Sequence, residues 1–90
     1  MRYSLVEGKI MTWNYRVFEL KDQDDMPYFE IREVYYEGDK FIGYVAESAT
    51  PLGETMDELR DDLGDFLKAL EAPILNEADF PKNWVGSSDE

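Results

Sequence analysis

The sequence predicts an α+β fold, a three-stranded antiparallel β-meander with one amphipathic α-helix packed on one face, in the order β-β-β-α with provision for a short fourth strand. Three observations predict it. Aromatic and β-branched residues crowd into three runs between residues 13 and 48, separated by polar turn signals. A capped stretch with apolar residues three and four apart follows in TPLGETMDELRDDLGDFLKAL, residues 50–70. The 90 residues are a single-domain length, sufficient for one modest core.

Residues 1–12 read either as an extra strand or as a loose extension, and Met11, a second potential start, favours the extension. The domain proper is expected over 13–75, with an extended arm and a frayed acidic tail over 76–90. The first strand is 13–20. Trp13, Tyr15 and Val17 point to one face, and Asn14, Arg16, Phe18 and Leu20 to the other. KDQDDMP, 21–27, breaks it. A second strand spans 28–36, EGD supplies the turn glycine, and a third strand runs over 41–48. Consecutive strands on short connections form an antiparallel meander.

Thr55 opens the helix with a capping box: its hydroxyl accepts from the amide of Glu58, whose carboxylate reaches back to Thr55. Asp57 and Glu58 suit the positive end of the helix dipole. Met56, Leu59, Leu63, Phe66, Leu67 and Leu70 share one face, which is expected to pack on the sheet. Gly64 is explained by close approach to a strand, and Pro73 ends the helix. Beyond it Ile74, Leu75 and Phe80 are placed to pack back, with Trp84 docked. Neither strand face is cleanly polar. One helix covers one face, so the other exposes aromatics and predicts a homodimer through the sheet.

Charge limits function. With 21 acidic and 9 basic residues the net charge is −12, a field that repels nucleic acid and anionic membrane and attracts basic proteins. Cysteine and histidine are both missing, which removes disulfides, thiolate metal sites, a Cys nucleophile and the usual neutral-pH base. There is no apolar run of the ~20 residues a membrane span needs, and no signal-peptide core, so the expected location is the cytoplasm. No serine stands in a nucleophile motif and no glycine-rich phosphate loop is present. The expectation is a protein with no catalytic residue, no cofactor and no metal.

Carboxylates remain. Asp57, Asp61 and Asp65 recur every four residues, with Glu58 and Asp62 as a second row, so like charges line one exposed edge. Arg60 and Lys68 offset them in part through i,i+3 pairs with Asp57 and Asp65. These five acids are the predicted protein-binding residues, a docking strip for Lys and Arg of a small basic partner; the plain alternative is a solvated face. Asp22, Asp24 and Asp25 open like a calcium loop, with Glu33 twelfth, but Met26 and Pro27 occupy positions that need a ligand and a glycine. Glu30 and Glu33 lie among aromatics with Arg16 and Arg32 as expected salt partners.

Three strands followed by a Pro51–Gly53 loop, a Thr55 cap, Glu58, Leu59 and an apolar row to Leu70 resemble the HicB-like antitoxin domain. WNYRVFE and YFEIREVYYEGD also resemble small bacterial and phage proteins of the same layout. The resemblance covers roughly Trp13 to Leu75; the family's loop cysteine is missing, with Leu52 in its neighbourhood. It implies a partial ribonuclease-H-like fold without catalytic acids, a small basic RNA-cleaving toxin as partner, and dimerisation. The expected function is therefore a non-enzymatic acidic binding protein. The alternative is a structural homodimer with no acidic docking role.

Overall fold

The computed structural model describes residues 2–6 and 9–81, with side chains from Met11 onward. Strands β1 (Arg2–Val6), β2 (Lys9–Lys21), β3 (Pro27–Glu37) and β4 (Lys40–Tyr44) form one antiparallel sheet in the order β1-β2-β3-β4. Helix α1 (Met56–Ala69) follows, then a 3₁₀ turn at Glu77–Asp79. The fold is α+β, and the three expected strands are β2, β3 and β4. Of the two readings of the first residues, the favoured extension gives way to the strand. Arg2 to Val6 pair with Trp13 to Lys9, where the long β2 offers a free edge. Trp84 and the tail from residue 82 lie outside the described residues.

Turn chemistry sets the hairpins. Gly38, φ 62°, is the first of two residues between paired Glu37 and Lys40, where a type II′ turn needs glycine. Between β2 and β3 the Asp22 carboxylate accepts from the amides of Asp24 (2.8 Å) and Met26 (3.0 Å), and Asp25 takes the left-handed conformation at φ 65°. That carboxylate is engaged with its own backbone.

The sheet is covered on both faces. On one, α1 sets Ala69 and Phe66 against Tyr15, Val17, Ile31 and Trp13. On the other, Phe18, Val34 and Tyr36 pack under Leu75 and Phe80. The chain reaches that second face by running past the edge of β2. Leu75 makes a parallel bridge to Phe18, donating its amide to Val17 O and accepting from Glu19 N, both at 2.9 Å. Phe80 then sits 4.9 Å from the Phe41 ring and 4.8 Å from that of Tyr44. This arm buries Phe18 and Tyr36 and packs against Phe41 and Tyr44, whereas Tyr28 and Phe29 at the start of β3 remain exposed.

A second correction concerns α1. Met56, Leu63, Leu67 and Leu70 were expected to pack on the sheet and are exposed; Leu59 and Phe66 are half-buried, and the buried residues are Asp62 and Ala69. The helix is rotated by roughly a quarter turn from its greasiest arc. The cause is polar. Tyr15 Oη donates to Asp62 Oδ1 (2.8 Å) and the amide of Leu52 to Oδ2 (3.0 Å). Two donors beneath the helix need a carboxylate, and spacings of four and three then bring Phe66 and Ala69 inward. Gly64 touches no strand, since a Cβ there would meet nothing within 4 Å.

Candidate functional site

Between the first half of α1, the loop 45–54 and the helix-bearing face of β2 and β3 lies an open groove of about 730 Å³. Its floor is aromatic: Trp13 meets Tyr15 edge to face, ring centres 5.4 Å apart at 83°. Its walls carry Glu33, Glu47, Glu54, Glu58, Asp61 and Asp62, and among the described residues no Lys or Arg lines it. Gly53 makes the wall tight. A Cβ there would stand 2.4 Å from Leu59 N and 2.7 Å from the Glu58 carbonyl carbon, so the loop passes directly over the helix start.

The five predicted acids do not act together. Glu58 and Asp61 are exposed on the groove wall. The Glu58 carboxylate accepts from the amide of Glu54 (2.9 Å), one residue before the expected Thr55, while Thr55 Oγ1 accepts from Glu58 N (3.1 Å) as the capping box requires. Asp62 also borders the groove but is 4% exposed and bonded to Tyr15 and Leu52. Its work is structural, which corrects its assignment to the docking strip. Asp57 lies away from the groove, exposed and bonded to Arg60 at 2.7 Å. Asp65 is half-buried, 4.0 Å from Lys68, on a separate small cavity of about 90 Å³ between α1 and β2.

Glu33, Glu47 and Glu54 are groove residues that helix periodicity did not single out. Strand parity was the available signal for Glu33, which shares a face with Tyr35; its carboxylate accepts from Tyr35 Oη at 2.8 Å. Burial, joined by that carboxylate, pushes the Tyr35 phenol up to about 12. Glu47 and Glu54 follow from the position of their loop against the helix start.

Of the two expected salt partners, Arg16 pairs with neither Glu30 nor Glu33, and it points to the face opposite Glu33. Arg16 is buried on the arm side, donating to Tyr36 Oη (3.0 Å) and Pro73 O (2.8 Å). Opposite it in register, Arg32 pairs with Glu30 as expected and also with Glu77 of the arm at 2.9 Å. Burial opposes the charge of Arg32, and its bonds to Glu77 and Glu30 more than restore it, so its pKa is raised. Both guanidinium groups fasten the arm. No group of three or more Asp or Glu side chains among the described residues is arranged to hold a metal ion. Nor is any helix among the described residues long and apolar enough to cross a membrane.

No protein-family model, curated protein or solved structure matches this chain. The function must be argued from the groove.

Proposed function

We propose that the chain is a non-enzymatic acidic binding protein that takes a Lys- or Arg-bearing segment of a small basic protein into this groove. One observation carries the reading: five carboxylates besides the buried Asp62 (Glu33, Glu47, Glu54, Glu58 and Asp61) line one groove over an aromatic floor, and among the described residues no Lys or Arg lines it. Carboxylates on the groove walls offer a guanidinium bidentate acceptors. The net charge of −12 would speed encounter with such a partner. The partner class agrees with the HicB-like resemblance, for which a basic RNA-cleaving toxin is the natural candidate. Three antiparallel strands, a helix and a bridge at Leu75 alongside β2 support the layout that the resemblance implies. Likeness of layout speaks to fold, and the activity rests on the groove.

The test compares capture from native lysate on the wild-type protein and on the triple variant Glu47→Gln, Glu58→Gln, Asp61→Asn, which leaves Asp62 in place. A small basic protein retained at low salt, released at high salt and lost on the variant column supports the proposal. Equal retention by both columns sinks it.

A further inference from the structure

The rotation of α1 leaves an apolar seam on the outside of the molecule. Met56, Leu63, Leu67 and Leu70 are 68%, 45%, 64% and 63% exposed, and Ile74 beyond the helix end is 55% exposed. At about 100° per residue the four helical side chains fall within an arc of about 60°, along a helix of about 21 Å. Scattered surface leucines need no explanation, whereas a contiguous row does. The centre of the second sheet face is already covered by the arm; among the described residues this row is left exposed along one element, apart from the exposed Met26, Tyr28 and Phe29 at the β2–β3 hairpin.

We propose that a second copy of this chain covers the seam, helix against helix and antiparallel, about a two-fold axis. The pattern of the seam selects this occupant. An isologous contact needs a self-complementary surface. Setting Leu63 of one copy opposite Leu67 of the other satisfies that need twice, and carries each Met56 toward the exposed residues after the partner's helix. The rim selects the direction. Arg60 and Glu71 flank the row on the same side, Arg60 near its start and Glu71 just past its end. In an antiparallel pair, residues on the same flank face each other, so Arg60 of each copy meets Glu71 of the other. A parallel two-fold pair would place the same flank of the two copies on opposite sides of the contact, so Arg60 and Glu71 would not meet across it. The groove carboxylates Glu58 and Asp61 lie on another side of the helix and stay open.

One helical seam is small beside the roughly 800 Å² per partner of a standard interface, and each copy carries a charge of −12. The dimer is therefore weak, of micromolar order, and added salt strengthens it by screening repulsion between the copies. Salt weakens capture of a basic partner, so failure of the groove reading and failure of this one are separable.

Sedimentation equilibrium of the full chain from about 10 µM to about 1 mM, at low and high salt, is the experiment. The expected result is a monomer–dimer equilibrium that tightens with salt and is weakened roughly tenfold by Leu63→Glu or Leu67→Glu, with circular dichroism unchanged because both side chains are exposed. Arg60→Glu and Glu71→Arg should each weaken it and the double variant restore it. A monomer throughout overturns the proposal, whether the seam is bare or is covered by the chain's own residues. A dimer indifferent to Leu63→Glu and Leu67→Glu overturns the seam, and a double variant no better than the singles overturns the register.

Discussion

Two adjacent aspartates show how little of a residue's role lies in its type. Asp61 and Asp62 are equivalent in composition and both sit in the acidic run, yet one faces water and the other is 4% exposed beneath the helix. Asp62→Ala removes the acceptor for Tyr15 Oη and for the Leu52 amide and should cost about 2 kcal/mol. Asp61→Asn should stay within about 0.5 kcal/mol. Urea denaturation of both variants checks the contrast, and equal losses would contradict the structural role of Asp62. Tyr35 offers a test by pH. Its phenol is held up to about 12, chiefly by burial and further by the Glu33 carboxylate. A raised folded pKa favours the protonated form, so the stability it contributes is whole below pH 10 and is lost as pH climbs through 12. Absorbance at the phenolate band should show a late phenol, ionising near pH 12, that Tyr35→Phe removes. Glu33→Gln should lower its midpoint only in part, since burial remains.

At the scale of the element, what could be read from the sequence depended on whether the signal was local. The three strands, the glycine turn at Gly38, the Thr55 cap and the helix span all rest on neighbours in sequence and were legible, except that the third strand, expected over 41–48, ends at Tyr44. The seating of α1 was not. Periodicity finds the most apolar arc, while the arc that packs is set by Tyr15, 47 residues from Asp62 in the chain. The acids of the groove were half legible for the same reason: Glu58 and Asp61 came from helix spacing, whereas Glu33, Glu47 and Glu54 required knowing which loop crosses which strand. The same substitution at two glycines tests this placement with opposite signs. Gly64→Ala fills open space in the middle of a helix and should stabilise the protein by about 1 kcal/mol. Gly53→Ala drives a Cβ onto the backbone of Glu58 and Leu59, forces the loop off the helix start and should destabilise by about 1–3 kcal/mol. Thermal midpoints measured side by side decide it; a gain at both positions would mean that the loop does not cross the helix so closely.

For the whole molecule, the arm after Pro73 decides what kind of surface the protein presents. A sheet with aromatics on both faces and a single helix would leave one face open. Here some ten residues do the work of a second layer. Leu75 is anchored to the edge of β2 by two backbone bonds, Glu77 is held by Arg32, and Phe80 lies at 5.6 Å on the fully buried Phe18. The consequence is a division of surfaces. The arm covers the centre of one sheet face, the helix carries an apolar seam on one side, and a groove lined with acids lies on the other. Removing the arm's Phe80 contact should undo that division. Phe80→Ala leaves a cavity against Phe18, Phe41 and Tyr44 and should cost about 3–5 kcal/mol, a large share of the stability of a small domain. It should also create the apolar sheet surface that the closed fold lacks. The variant is then expected to bind a hydrophobic dye and to self-associate even when Leu63→Glu is present, because the new contact runs through the sheet and not through α1. A Phe80→Ala protein that unfolds at a lower urea concentration yet stays dye-free, and whose association still vanishes with Leu63→Glu, would mean that Phe80 serves stability alone and that other residues keep the sheet closed.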